Sequence, residues 1–418
     1  MCPRCRVRGV DCGHGQLVLV VHAHQETGTF QLAHSHGGPA SPVSRRVRVV
    51  LGCCLAPLLV ATIVGVVLLW PAHRHFATPP QFQTAAGHPV AYVDGVAASV
   101  APAPCGPGSA GAASACLDTT FALGAGGSAH VLLATGAGEP VVHPGDRVTL
   151  AKTADETGHT QYYFDDFRRG RPLALLAVVF AVLAVAIGRA RGAAALVGLG
   201  VAFAALVEFV IPALLSGSNP LAVALVAGSG VMTVVLYIGH GFSARTTVAV
   251  LGTLTGLGLV GLIGSVAVRG AALTGLSSDE FTAVQSTNGH LNVAGLLIAG
   301  LVIGSLGVLN DVTVTQASAV WELHDANPAL SRTRLYTSAM RIGRDHIAST
   351  IYTLLLAYAG AALPVLLLLT LSNQPVGVAI NGDLIASDIV RSLVGGIGLL
   401  LAVPLTTAAA VAARTDAR

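Results

Sequence analysis

The chain has 418 residues, of which 53% are hydrophobic and only 10% are charged, and its mean hydropathy is +0.72. This composition excludes an ordinary soluble protein, because a soluble core of this size needs far more charged surface. The net charge of +3 is too small to indicate a nucleic-acid partner. The high hydropathy instead makes the lipid bilayer the expected surrounding of most of the chain.

Residues 1–48 form a tail that is rich in His, Gly and Arg and has little apolar periodicity, which predicts a disordered cytoplasmic segment. Its Cys and His spacings are also typical of divalent metal ligands. The candidate metal ligands are Cys2, Cys5, Cys12, His14, His22, His24, His34 and His36. No predicted fold surrounds these residues to fix a coordination geometry, so an unfolded tail is favoured and metal binding is the alternative. No other cofactor is expected.

Residues 49–70 carry no charge and are long enough to form a first transmembrane helix. Arg45, Arg46 and Arg48 precede this span directly, and the positive-inside rule therefore places the N-terminus in the cytoplasm. No good small-residue cleavage site follows Trp70, which favours an uncleaved anchor over a removed signal.

Residues 71–171 are then extracytoplasmic, and they are predicted to form a small β domain, either a barrel or a sandwich. Short alternating or apolar runs at 90–93, 130–133 and 148–150 are separated by turns rich in Gly, Pro and Ala. Cys105 and Cys116 lie in this exported segment, where an oxidising compartment favours a structural disulfide between them.

Residues 172–412 contain seven apolar stretches, each about as long as a helix that crosses the bilayer core. They can be drawn as 172–187, 193–215, 220–239, 247–268, 289–309, 347–371 and 390–412, followed by a cytoplasmic tail at 413–418. The predicted fold is thus a mainly α polytopic membrane protein with about eight transmembrane helices, one before and seven after a small extracytoplasmic β-barrel-like domain.

Polar residues gather where three of these spans are predicted to end on the cytoplasmic side. They are His240, Arg245, Asn310, Asp311, Thr313, Thr315, Gln316, Arg344, Asp345 and His346. Asp and His bind cations or protons, and Asn, Thr and Gln oxygens replace lost water, so the set predicts a gate for an ion or substrate. The equally weighted alternative is ordinary polar residues at helix ends, with Arg344 and Asp345 in salt bridges between helices.

Glu208 lies inside the predicted span 193–215 and is a second candidate, because an intramembrane carboxylate is costly unless it is protonated or paired. It could equally lie near the outer boundary, where that cost is small.

Four segments closely resemble the YibE/F family of multi-pass bacterial membrane proteins. They are GFSARTT at 241–247, GSLGVLNDVTVTQ at 304–316, AVWEL at 319–323 and IGRDHIAS at 342–349. The likeness runs from about residue 45 to residue 418. It implies one N-terminal span, an external domain and a seven-span core in the bacterial plasma membrane, with both termini in the cytoplasm.

The resemblance does not supply a function, because the family's biochemical role is not established and transport is only presumed. Where the family has a pair of Asp residues, this chain has Asn310 before Asp311. That departure weakens a scheme with two carboxylates and leaves a single-carboxylate or proton-linked scheme. The His-rich tail is similar to tails of relatives, which slightly favours metal handling.

Three classes of function remain. The preferred one is a transporter or permease for a small solute or ion, with Asp311 as the central ligand. The alternative is a non-transporting envelope scaffold whose β domain binds a partner protein, and either could be a homo-oligomer. A membrane enzyme is least favoured, because the common nucleotide-binding and hydrolase motifs are absent from the sequence.

Overall fold

A computed structural model of the chain describes residues 43–71, 83, 89–105, 115–136, 138–154, 159–276, 292–372 and 374–415. The Cys and His residues that the sequence suggests as metal ligands, between Cys2 and His36, lie outside the described residues.

Helices make up most of the described chain. In order they are α1 (Arg45–Leu68), α2 (Gly170–Ala205), α3 (Ile211–Leu215), α4 (Pro220–His240), α5 (Ala244–Gly270), α6 (Val293–Ala326), α7 (Arg332–Ala361), α8 (Leu363–Leu371), α9 (Val376–Asn381) and α10 (Asp383–Thr415). Among the described residues, six helical runs are long and apolar enough to cross a membrane, or seven if α7 and α8, bent by 57°, form one span. The mainly helical class, with apolar helices of membrane-spanning length, is confirmed, whereas the count of eight spans stays a prediction.

Side-chain caps fix the starts of several helices. In each case an oxygen of the preceding Ser or Asn accepts a hydrogen bond from a backbone N–H of the first turn, which would otherwise have no partner. The capping residues are Ser44 for α1, Asn219 for α4, Ser243 for α5, Asn292 for α6 and Ser331 for α7. These boundaries therefore follow from local sequence.

The predicted spans 172–187 and 193–215 fall within one helical run, Gly170–Leu215, made of α2, a π-helical turn at Leu206–Val210, and α3. The run is broken at Arg189, whose backbone is not helical (φ 51°, ψ −132°). A Cβ added to Gly192 would overlap the carbonyl oxygen of Ala184, although a straight helix would separate residues eight apart by about 12 Å. The chain therefore folds back near the boundary predicted between the two spans.

Two apolar clusters mark opposite ends of the helical bundle. At the first, called the Trp321 end, Val47 of α1, Ala249 of α5, Trp321 of α6, Leu335 of α7 and Ala413 of α10 pack together. At the other, called the Leu273 end, Val268, Leu273 and Leu297 join the end of α5 to the start of α6, with Ala386 and Val390 of α10 against them. Successive helices thus alternate in direction, as a chain that crosses a membrane repeatedly requires.

The β domain is a five-stranded antiparallel sheet of β1 (Ala91–Ala103), β2 (Ala115–Leu123), β3 (Ser128–Thr135), β4 (Arg147–Ala154) and β5 (Thr160–Phe167), in the order β3-β2-β1-β4-β5. The sheet is rolled so far that β3 and β5 line one pocket. The circular order β1-β2-β3-β5-β4 is that of a partly open Greek-key barrel of the OB type, so of the two predicted forms the barrel is observed.

Small and apolar residues allow the sheet to close around its core. β1 pairs with both β2 and β4, and a bulge between Ala97 and Ser99 bends it. Gly95 lies at the crossing, where a Cβ would stand 3.2 Å from Leu150 and 3.3 Å from Phe121. Both side chains are fully buried, and Val142 from the β3–β4 loop completes the core.

One disulfide and two ion pairs hold the ends of the barrel strands. Cys105 and Cys116 form the disulfide that the sequence predicts, with a Cα–Cα distance of 5.1 Å. Two residues join β5 to α2: Arg168 pairs with Asp94, and Arg169 pairs with Asp166 at 2.6 Å. The hydrogen bond from Arg169 holds the pKa of the Asp166 carboxyl below its usual value. The connection from β5 to α2 is thereby held against β1 and β5 of the barrel.

Candidate functional site

Most of the predicted gate lies inside helices. α6 continues without a break through residues 310–316 to Ala326, and α7 runs through residues 343–350. The expectation that these two segments are helix ends is wrong, because buried Val312, Val320 and Trp321 extend the apolar face of α6 at helical spacing. Only His240 and Arg245 flank an observed boundary, the short turn between α4 and α5.

Asp311 lies ten residues before Trp321 on α6, which is about 15 Å along the helix axis. The hydroxyl of Thr313 is 2.7 Å from that of Thr253, which is nine residues into α5 and hence about 13 Å from its start. Val314 packs both against the cluster at the Trp321 end and against the cluster that contains Leu55 of α1. Leu55 is seven residues, or about 10 Å, beyond Arg48. Asp311 therefore lies at the depth of apolar segments of its neighbours, deeper than the sequence predicts.

Asp311 of α6 and His346 of α7 form the centre of the candidate site. Their Oδ2 and Nε2 atoms are 3.2 Å apart, and their side chains are 62% and 28% exposed. The Nε2 atom itself is inaccessible and is not aligned for a hydrogen bond with any described atom. The two atoms are thus within ion-pair distance when His346 is protonated. The Nε2 atom has no hydrogen-bond partner among the described residues.

A cavity of about 270 Å³ surrounds this pair and is called the α6–α7 notch. Its lining residues are Gly307, Val308, Asp311, His346, Ser349, Thr350 and Thr353. The hydroxyls of Ser349, Thr350 and Thr353 lie 2.8–3.0 Å from backbone carbonyls one turn earlier on α7, to which they donate. Because each hydroxyl proton is used there, the oxygen lone pairs remain as acceptors, which suits a cation or a hydrogen-bond donor.

Behind the notch, uncharged polar side chains cross the bundle interior. Thr253 meets Thr313, and the amide oxygen of Gln316 accepts a hydrogen bond from Thr407, 2.9 Å away. All four side chains are fully buried and are called the buried polar layer. The Nε2 atom of Gln316 has no hydrogen-bond partner among the described residues. Gly343 leaves room for this amide, because a Cβ there would come within 2.6 Å of Nε2.

The other predicted gate residues do not join the Asp311–His346 pair. His240 and Arg245 lie at the α4–α5 turn, about 12 Å along α5 from Thr253. Arg344 and Asp345 are exposed on α7. No ion pair of theirs with another described residue is present, so the expected salt bridges between helices are not observed there. Asn310 and Thr315 are half-buried on α6.

Glu208 lies apart from the notch, in the π-helical turn between α2 and α3. Its neighbour Phe209 packs against Trp70, with ring centroids 5.9 Å apart, and joins an apolar cluster with Leu69 and Val223. This places Glu208 near the far end of α1 and the start of α4, which supports the boundary position over the deep one.

Sequence reasoning missed a second polar group, in which Asp388 and Arg391 of α10 form a half-buried pair at 3.2 Å. Tyr358 of α7 lies within electrostatic range of both, and its hydroxyl faces Gly304 of α6, 3.3 Å from where a Cβ would stand. The i,i+3 spacing of Asp and Arg in an apolar helix was the available signal. No group of three or more His, Cys, Asp or Glu side chains in the described chain is arranged to hold a metal ion.

Comparison with known proteins supports one assignment. A sequence profile of the family described as YibE/F-like protein matches residues 176–416, which cover all the notch and the buried polar layer. No curated protein and no solved structure matches the chain.

Proposed function

The chain belongs to the YibE/F-like family, and on that premise we propose that it is a permease for a small solute or ion, with the α6–α7 notch as its binding site. The observation that carries the proposal is the approach of Asp311, inside the long apolar helix α6, to His346 of α7. Ionisable side chains at such depth are costly, and in membrane proteins they mark ion, proton or substrate pathways.

The chemistry of the notch favours a cation or proton among small solutes. One carboxylate and three hydroxyl oxygens that have already donated their protons present negative charge and lone pairs to the cavity. The Nε2 atom of His346 lies 3.2 Å from the Asp311 carboxylate, so a bound cation competes with the imidazole for Asp311. This is a single-carboxylate scheme and does not need an acid at Asn310.

The arginine distribution supports an orientation in the bacterial plasma membrane. Arg45, Arg245, Arg332 and Arg334 lie at or next to helix starts that meet at the Trp321 end. By the positive-inside rule we propose that this end faces the cytoplasm, with both termini there and the barrel outside. We further propose that the chain is not an enzyme and works without a resident cofactor.

Flux through proteoliposomes tests the proposal. Purified protein is assayed for uptake of protons, monovalent and divalent cations and small anions, beside Asp311→Asn and His346→Gln. Glu322→Gln is the matched control, because it removes one exposed carboxylate from the same helix outside the notch. We expect one species to be taken up by the wild type and the control and not by Asp311→Asn. Equal flux in Asp311→Asn, or no flux by folded protein, would overturn the proposal.

The barrel favours one other function, an envelope scaffold. β3 and β5 are not hydrogen-bonded to each other in the described sheet, and the seam between them is a polar cavity of about 380 Å³ lined by Ser128, His130, Gln161 and Tyr163, among others. Unpaired strand edges are templates for an added strand from a partner. A photoreactive residue at Gln161 should then capture a partner in cells, whereas one at Val141, exposed outside the seam, should not.

A further inference from the structure

We infer that a cavity between α2, α4 and α6 binds one acyl chain of an anionic phospholipid, whose phosphate is held by Arg191 on the same face of α2. The inference does not depend on the proposed permease, and its test measures lipid binding and not flux. It starts from the cavity, which has a volume of about 230 Å³ and only apolar lining residues. Leu199 and Phe203 are exposed at its rim, so it opens sideways, where lipid chains surround a membrane helix.

Arg191 lies on the face of α2 that leads to this cavity. After the break at Arg189, no residue of α2 departs from helical geometry. Ala202, in the cavity wall, comes eleven residues after Arg191, which is three helical turns to within about 20°. The nearest lining residue, Leu199, is about 12 Å along the axis from Arg191. One leaflet of hydrocarbon is about 15 Å deep, so an acyl chain with its headgroup at Arg191 reaches the cavity.

Two aromatic rings lie at the level of Arg191. Gly198, seven residues after Arg191, faces Val235 of α4, because a Cβ there would stand 3.1 Å from the valine. The two helices run in opposite directions, and Phe242 follows Val235 by seven residues, so Phe242 is level with Arg191. Phe242 is 90% exposed and stacks on Tyr237, with ring centroids 4.6 Å apart. Aromatic rings of membrane helices concentrate at the depth of the lipid headgroups, which places Arg191 there.

The charges at this level favour an anionic headgroup. Arg191 is exposed and forms no ion pair with another described residue. Arg191 and Arg245 both lie within electrostatic range of the His240 ring. A guanidinium group forms strong charge-assisted hydrogen bonds with phosphate oxygens, and basic pockets between membrane helices bind anionic headgroups. A zwitterionic headgroup would bring a second cation into this group, whereas an anionic one neutralises it.

The test titrates full-length protein in neutral detergent micelles with phosphatidylglycerol or phosphatidylcholine of equal chain length, and native mass spectrometry counts the bound lipids. We expect one phosphatidylglycerol to bind about tenfold more tightly than phosphatidylcholine. Arg191→Gln should abolish this preference and leave the binding of phosphatidylcholine unchanged, because only the contact with the anionic headgroup is lost. Arg334→Gln is the matched control, since Arg334 is exposed on α7 away from the cavity, and it should keep the preference.

Filling the cavity tests the acyl chain. Ala202→Phe should weaken the binding of phosphatidylglycerol about tenfold, because the chain loses buried apolar contact. Ala202→Leu should lose an intermediate amount, which relates the loss to filled volume and not to misfolding. Ala204→Phe, exposed on α2 outside the cavity, should bind like the wild type.

Three results would overturn the inference. The first is equal affinity for the two lipids, or a preference that survives in Arg191→Gln. The second is unchanged binding in Ala202→Phe. The third is displacement of the lipid by inorganic phosphate, which would show a phosphate site without an acyl chain.

Discussion

The amide oxygen of Gln316 accepts a hydrogen bond from the hydroxyl of Thr407, 2.9 Å away, and this bond joins α6 to α10 across 91 residues of sequence. Both side chains are fully buried. The same hydroxyl lies 2.7 Å from the carbonyl of Val403 on its own helix, so its single proton is shared between the two acceptors. Gln316 therefore depends on Thr407, while Thr407 has a second acceptor.

Replacing Thr407 by Val should destabilise the bundle by about 1–2 kcal/mol, because the buried Gln316 oxygen loses its donor and the shape hardly changes. The midpoint of thermal unfolding in detergent measures this loss. Thr255→Val is the matched control, since Thr255 is exposed and its hydroxyl bonds to Leu251 of its own helix. Equal midpoints for the two variants would contradict the assigned role of Thr407.

Gly343→Ala should lower the unfolding midpoint by several degrees. The added methyl group would come within 2.6 Å of the Gln316 amide nitrogen and 3.0 Å of its Cδ atom, so a buried side chain must move in a close-packed interior. Gly258→Ala is the control, because no atom lies within 4 Å of the new Cβ and alanine favours helix formation. A loss of similar size in both variants would show that packing against Gln316 is not the cause.

The sequence predicted the long apolar helices but not how far they extend. Helix starts were readable because caps are local, as at Asn219 and Ser243. The end of α6 was placed too early because polar residues from Asn310 onward lower the hydropathy of a short window. Burial of Val312 and Trp321 keeps that segment helical, and burial depends on helices far away in sequence.

The sequence predicts which residues belong to the candidate site, but not how they are arranged in space. Asp311 and His346 were both identified, but their approach depends on the packing of α6 against α7. The partners of Thr313 and Gln316 are 60 and 91 residues away, and Thr253 and Thr407 look unremarkable in an apolar stretch. The barrel's strand order is likewise hidden, because β1 pairs with β4 across about fifty residues.

Asp383→Ala should loosen the loop that follows α5. The Asp383 carboxylate accepts hydrogen bonds from the Thr274 amide (3.1 Å), the Thr274 hydroxyl (3.0 Å) and the Gly275 amide (2.9 Å). Hydrogen exchange at these two amides should become at least about tenfold faster, because local opening no longer breaks those bonds. Ser387→Ala on the same helix removes a hydroxyl bonded to Leu384 and should leave exchange unchanged. Slow exchange in Asp383→Ala would show that other contacts hold the loop.

Cys105→Ser should destabilise the barrel by about 2–4 kcal/mol, because the disulfide closes a short loop between β1 and β2. In the full-length protein, limited proteolysis should cut the barrel sooner while the helical bundle remains protected. Cys53→Ser changes an exposed free cysteine of α1 and is the matched control. Identical cleavage of all three proteins would mean that sheet pairing alone secures the fold.

The two-residue connection between β5 and α2 sets the order of events during synthesis. β1 is made first, yet it pairs with β4, and β5 ends at Phe167, three residues before α2 begins. Chains emerge from the ribosome from the N-terminus onward. Synthesis of α2 therefore begins while β5, the strand that completes the barrel, is still inside the ribosome. Completion of the barrel and entry of α2 into the bilayer are thus bound to overlap in time.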